Sequence, residues 1–421
     1  MGKRIAIIGS GISGLTCGYL LHKKHDITLY EAEDYIGGHT ATKEVEVEGK
    51  TYAIDTGFIV YNDWTYPNFI KLMDQLHVQA QPTEMSFSVK NIAENIEYNG
   101  NTLNSLFAQR RNILRPKFWS IVRDILRFNK LCKTSVQQNE DHGQLSLYEF
   151  IVANNFSQAF TYNYILPMCA AIWSTSLADI KSFPFAFFLK FFHNHGLLNI
   201  IDRPQWRTLV GGSKQYIAPL TEGFKDRIRL NSPVQSVSKV DDKYAVVIDQ
   251  NAAEIFDEVI FACHSDQALG LLTKPSSRQT DILGAIRYGP NEVVLHTDSS
   301  VLPKRKLAWA SWNYLITGKS DEQQAPIALT YNMNILQCLS SATTFCVTLN
   351  SSQNIDPQKI LGRYQYTHPQ FTPAAIQAQT RRDEISGVDG LHFCGAYWHN
   401  GFHEDGVRSA LDVCLVFGET L

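Results

Sequence analysis

The chain has 421 residues, 44% of them hydrophobic and 19% charged, with a formal net charge of −3. That length exceeds what one hydrophobic core usually supports, so two domains or one elaborated α/β domain are expected, and the near-neutral balance excludes a general attraction to nucleic acid. Eight cysteines lie scattered without a C-x-x-C pair, which reads as reduced, buried thiols in a cytoplasmic protein. The N-terminus shows no secretory succession, and no apolar run is long enough to span a bilayer.

The first element is the run Ile5 to Ile8, apolar at every position as a strand buried on both faces requires. Gly9 follows it. Ile12, Leu15, Tyr19 and Leu20 then recur at helical spacing, and "DITLYE" reads as a second strand ending in Glu31, which completes a βαβ unit. A pyrophosphate accepts the free N–H groups of such a helix only if no Cβ blocks it, which explains Gly9 and Gly11. Gly14 allows close helix–strand packing. Glu31 falls where a carboxylate accepts hydrogen bonds from a ribose hydroxyl. Together these residues predict a dinucleotide site.

The next stretch, "EAEDYIGGHT", resembles the glycine-pair extension of the flavoprotein superfamily of amine oxidases, protoporphyrinogen oxidases and phytoene-type desaturases, and "AIDTG" resembles its following strand. The resemblance implies FAD, held by Gly9, Gly11, Ile12, Ser13, Gly14, Glu31, Ala32, Gly37, Gly38, His39, Thr40, Thr56 and Gly57. His39 stands where the superfamily more often has Arg; an imidazole can donate to a phosphate oxygen but cannot fork over two.

Residues 62 to 205 carry no cofactor motif. Within them, "SLFAQRRNILRPKFWSIVRDILRFNKLCK", residues 105–133, sets eight cations against Asp124 with interleaved apolar side chains. Two readings stand: a surface resting on anionic membrane, or a solvated helical face paired with acids elsewhere. "FPFAFFLKFF", residues 183–192, holds six phenylalanines, which suits core packing or the wall of a greasy pocket.

The family resemblance then resumes in order. "LVGGSKQYIAPL" looks like the superfamily's second glycine turn, and "FDEVIFAC" like its D-x-V strand. By analogy Val234 lies near the adenine. "IRYGPNEVVLHTD" matches the region where amine oxidases hold a lysine near the flavin, yet no lysine occurs between Lys274 and Lys304. Near the end, "LHFCGAYWHNGFHEDGVRSALDVCLVFGE" reads as a strand, a turn at Gly395 and a helix with Asp405 and Gly406 at its start, Asp405 as its cap. The resemblance places Gly395, Gly406 and Val407 beside the flavin ring, and Tyr397, Trp398, His399 and His403 along the pocket before it. His399 and His403 are four apart, but the glycine between them argues against a shared helical face, so no metal site is expected.

Taken whole, the chain resembles a bacterial branch of amine-oxidase-like proteins in that superfamily, whose "GLFAQRRN"-type and "AWASWNY" segments have counterparts here. The fold class implied is α/β, a glutathione-reductase-type, Rossmann-like FAD domain assembled from residues 1–61, 206–285 and 386–421. A mixed α+β substrate domain would come from 62–205 and 286–385. The expected activity is removal of a hydride from an apolar substrate, an acyl chain or isoprenoid, onto flavin N5. A peroxide-producing amine oxidase, a non-catalytic flavin-bound scaffold and an NAD-linked dehydrogenase are the alternatives. The expected location is the cytoplasm, with peripheral contact to the inner membrane face through 105–133 on the first reading of that segment.

Overall fold

Short, continuously apolar runs build a five-stranded sheet. Its order is Ile228–Arg229, Asp26–Tyr30, Arg4–Ile8, Glu258–Phe261 and Leu391–Phe393, with all neighbours parallel. Ile5, Ala6 and Ile7 have no exposed surface, as a strand covered on both faces must. The computed structural model describes residues 2–249, 252–318 and 328–421. Helix Ile12–Leu21 leaves the first strand through Gly9 and Gly11 and packs along helix His403–Val416, joining the two ends of the chain.

A second sheet, of seven strands, runs in the order Ile360–Pro369, Tyr288–His296, Cys346–Leu349, Ala328–Asn332, Trp312–Ile316, Phe87–Asn91 and Ile96–Asn99. Its neighbours are antiparallel except Trp312–Ile316 with Phe87–Asn91. Each sheet therefore draws on segments far apart in the chain. The expected substrate segment 286–385 includes residues 319–327, and the cofactor segments 1–61 and 206–285 include Met1 and residues 250–251, all of which lie outside the described residues.

The basic segment breaks into a short helix Leu103–Leu106, a 3-10 turn Arg110–Leu114 and a long helix Pro116–Gln137. The phenylalanine run forms helix Phe185–Asn194, whose Phe185, Phe188 and Phe192 join a core of aromatic side chains with Phe128, Phe150 and Phe160. Core packing accounts for most of the run, and Phe191 from the same helix also lines a cavity described below. All eight cysteines are free; six are buried, Cys263 is half-buried and Cys338 is exposed. Among the described residues no helix is long and apolar enough to cross a membrane.

Candidate cofactor and substrate site

A cavity of about 900 Å³ lies at the carboxyl ends of the parallel strands and continues beneath the seven-stranded sheet. Ligands of open parallel sheets settle at that edge, because loops leave it and helix N-termini point to it. Here the strands deliver Gly9, Glu31, Cys263 and Gly395 to the cavity wall.

At one end the glycine turns meet. Gly37 N–H donates to the Ser10 carbonyl at 3.0 Å, Gly11 and Gly37 form a parallel bridge, and a Cβ on Gly38 would stand 3.2 Å from Gly11 Cα. Two motifs separate in sequence are thus one surface. Glu31 accepts from Ser10 N–H at 3.0 Å and Ser10 Oγ at 2.5 Å on one oxygen, and from Glu33 N–H at 3.0 Å on the other. No side chain caps helix Ile12–Leu21, so its first N–H groups remain available beside the cavity. A Cβ on Gly11 would meet nothing within 4 Å, so the space in front of it is open.

His39 also faces this cavity. Its Nε2 is buried and unpartnered, its ring lies 5.3 Å from those of Tyr366 and His368, and burial pushes it well below the usual histidine range. A diphosphate beside it would draw that value back up, since an adjacent anion favours the cation. An open glycine cradle, free helix N–H groups, a ribose-ready carboxylate and an orphaned imidazole together fit an extended dinucleotide such as FAD.

At the far end, one bond ties the two ends of the chain together and two more brace it from the C-terminal side. Gly395 N–H donates to Ser409 Oγ at 2.9 Å, and the Gly406 carbonyl accepts from Ser409 Oγ at 3.0 Å and from Ser13 Oγ at 2.9 Å. His403 stacks on Phe58 with ring centroids 3.6 Å apart and lies within hydrogen-bond distance of Thr40 Oγ1, at 3.1 Å, and the Tyr216 hydroxyl, at 3.3 Å. Its burial pushes it down to about 3, so the ring is neutral.

Of the residues expected to bind cofactor, Gly9, Gly11, Ile12, Ser13, Glu31, Ala32, Gly37, Gly38, His39, Thr56, Gly57, Val234 and Gly395 line the cavity. Gly14, Thr40, Gly406 and Val407 do not; they stand one layer behind. A Cβ on Gly14 would collide with the Gly9 carbonyl, and one on Gly406 would stand 2.6 Å from Ile12 Cγ2, so both glycines serve helix packing. Thr40 is spent on Tyr216 and His403, and Val407 is fully buried between the helices.

Tyr397 and His403 line the cavity, whereas Trp398 and His399 fall outside its lining. Residues Ala396–Trp398 form a 3-10 turn, and Trp398 packs instead beneath the Arg382 guanidinium, 5.6 Å from its ring centre. His399 offers its carbonyl to Gln379 and its ring points towards Asp412, at 3.9 Å. Of these two aromatic side chains, only Tyr397 is therefore presented to the pocket. The helix also starts earlier than expected, at His403. Asp405, at its third position, accepts from Phe402 N–H at 2.9 Å, and burial raises its carboxyl to about 7. Glu404 reaches across to Asn68 and Phe69, capping helix Pro67–Gln75 at 2.7 to 3.2 Å.

Of the half of the cavity away from the dinucleotide end, sequence reasoning singled out only the phenylalanine run as a candidate wall. The wall there is aromatic and aliphatic, with Met168, Trp173, Phe191, Trp312, Tyr331 and Phe371 prominent. Among the described residues, the carboxylates lining the cavity are Glu31 and Glu33, both at the dinucleotide end, and no lysine lines it. Among the described lining residues Arg203 is the one permanent cation, beside the imidazoles of His39, His195, His264, His368 and His403. Burial lowers all five rings, His195 and His368 to about 4. Among the described residues no cluster of three His, Cys, Asp or Glu side chains is arranged to hold a metal ion.

Comparison with known proteins agrees with this geometry. The family model described as flavin containing amine oxidoreductase matches residues 12–337. No curated protein matches by sequence. By fold, the chain resembles a fatty acid isomerase from P. acnes that produces CLA, with 14% identity, 99% of this chain and 98% of that one covered, and a TM-score of 0.68. It also resembles cyclohexylamine oxidase from Brevibacterium oxydans IH-35A, with 13% identity, 99% of each chain covered and a TM-score of 0.68.

Proposed function

Since the chain belongs to the flavin-containing amine oxidoreductase family and is an FAD-dependent oxidoreductase, we propose that it takes a hydride from an apolar substrate carrying an acyl or isoprenoid chain. One observation supports the choice of substrate: beyond the dinucleotide end the described lining is mainly hydrocarbon and aromatic surface, with neither carboxylate nor lysine and with Arg203 as its one permanent charge. The fold itself does not choose, since one structural relative is a fatty acid isomerase and another oxidises cyclohexylamine.

When bound, FAD supplies an electron-accepting ring that takes a hydride at N5. The chain's own residues do the rest. Gly11 and the first turn of helix Ile12–Leu21 receive the phosphates, and Glu31 the ribose. Trp173, Trp312, Tyr331 and Phe371 hold the chain of the substrate by apolar contact and keep water out, which fixes the reacting carbon and strengthens electrostatic interactions nearby. The neutral histidines add polar edges without adding charge. Helix His403–Val416 begins at the cavity, and the positive end of its dipole favours negative charge developing there.

Anaerobic bleaching of the bound flavin tests the reading. Membrane-lipid extracts or isoprenoid mixtures should discharge the yellow absorbance of the holoprotein at rates at least tenfold above those with simple primary amines. Bleaching by amines alone would replace this reading with the amine-oxidase one.

A further inference from the structure

Gly100 and Asn101 are two of the exposed residues in the cavity's lining, away from the exposed residues Ala32 and Glu33 at its dinucleotide end, and offer one route from the cavity to solvent. Immediately after them the chain carries Leu103, 78% exposed, and then Ile113, Leu114 and Trp119, with Leu114 at 86%. Isolated exposed leucines need no explanation, but these continue into helix Pro116–Gln137 as a single stripe. Trp119, Arg123, Leu126 and Lys130 are all exposed at spacings of four, three and four, so they share one face. Phe118, on the opposite face, packs edge-on against Tyr98, which itself lines the cavity, so the stripe rides on the pocket wall.

Charge decides what this face meets. The segment carries Arg110, Arg111, Arg115, Lys117, Arg123, Arg127, Lys130 and Lys133. Among the described residues their ion pairs reach only Glu94, from Lys117 at 2.9 Å, and the buried Asp124, from Arg123 and Arg127 at 3.5 and 3.6 Å. Arg110, Arg111 and Arg115 bond instead to the carbonyls of Asn104, Phe107 and Asn95, which fixes the guanidinium groups without neutralising them. Interleaved large apolar and cationic side chains, with the cations largely unpaid by acids, match the headgroup region of an anionic bilayer and oppose a second copy of the same positive face.

We infer that Leu103 to Lys133 forms a docking face for anionic lipid membrane, placing the Gly100–Asn101 mouth of the cavity against the headgroups. The long stems of Arg123 and Lys130 lie along the interface with their charges at the phosphates, while Leu114 and Trp119 enter the acyl boundary. The inference needs no assumption about what is oxidised, because binding is read directly.

Co-sedimentation of the holoprotein with vesicles provides the test. Phosphatidylcholine vesicles containing phosphatidylglycerol should pellet it, vesicles of phosphatidylcholine alone should leave it in solution, and added salt should release it. Two variants at exposed positions without an acidic partner among the described residues, the charge reversal R110E/K130E and Leu114→Asp, should each weaken partitioning by about tenfold or more. Lys274→Glu, a charge reversal outside this segment, should not, and all three should keep the parent melting temperature. Equal binding to both vesicle types, or partitioning indifferent to both variants, would overturn the inference. So would light scattering that showed a dimer dissolved by Leu114→Asp.

Discussion

Gly11→Val will fold within about 1 kcal/mol of the parent yet emerge from purification nearly colourless, whereas Gly14→Val will fail to accumulate as folded protein. The two glycines belong to one short motif, but they face opposite ways. The backbone at Gly11, with φ −64° and ψ 176°, is open to any residue, and a side chain there enters empty cavity. Its cost to the apoprotein is that of a poor N-cap, while its methyl groups occupy the ground where a diphosphate would accept the helix N–H groups. FAD binding should weaken by about a hundredfold, equivalent to about 2.7 kcal/mol. At Gly14 the new atoms meet the Gly9 carbonyl and Ala262 Cβ, both fixed by the parallel sheet. Forcing helix and strand apart there should cost about 3 kcal/mol or more. Flavin absorbance per chain and a calorimetric melt separate the two effects; a Gly11→Val protein that keeps its flavin would show that the cradle has been misassigned.

Acidification will unfold the protein well before its carboxylates are fully protonated. His195, His296 and His368 are held near 4 and His403 near 3 by burial, against an ordinary value of 6.5. His296 shows why: its Nδ1 accepts from Asp298 N–H at 3.1 Å while its Nε2 lies 2.7 Å from Thr348 Oγ1, an arrangement that suits a neutral ring. Below pH 6.5 the unfolded chain takes up protons at these sites and the folded chain does not, so stability falls with pH until the folded values are reached. Each such ring contributes up to about 1.4 kcal/mol per pH unit. Asp55 and Asp405 act in the opposite sense. Burial raises them to about 6 and about 7, so the folded form holds their protons through a range in which the unfolded form has lost them, and they favour folding as pH falls towards 3.8. Burial also lowers His25, His39, His264 and His399, so the lowered rings outnumber the raised acids Asp55, Asp405 and Glu404, and the net loss is on the order of several kcal/mol per unit between about pH 6 and 4.5. The melting temperature should drop by several degrees per unit in that range; a flat profile would mean that the histidines are solvated or charged in the native state.

How much of this was legible depended on whether the relevant residues are neighbours in the chain. Gly9, Gly11, Gly37 and Glu31 could be read because each answers a local geometric demand, and both glycine turns follow recognisable strands. The C-terminal turn was legible as strand, glycine and helix, but the phase of the 3-10 turn at Ala396–Trp398 was not, so Tyr397 and Trp398 could not be sorted into inward and outward. The helix start was misplaced for a similar reason. His403 follows Phe402, which has no capping side chain, while the acids that attract attention are occupied at the third helical position and at the neck of another helix. Of the wall proposed for the substrate, only Phe191 carried a local signature, in the phenylalanine run 183–192. Trp173, Phe191, Trp312 and Phe371 come from elements brought together only by the second sheet and the helices beside it. The charge of the 105–133 segment was plain, but whether acids elsewhere answered it required the fold.

The bond from Ser13 to Gly406, with Ser409 holding Gly395 beneath it, has a consequence for biosynthesis. The glycine turns are synthesised well before strand Leu391–Phe393 and helix His403–Val416, which brace them. Until those two elements have emerged the nucleotide cradle lacks its back wall, so the vitamin-derived group should be retained only once they have folded against it.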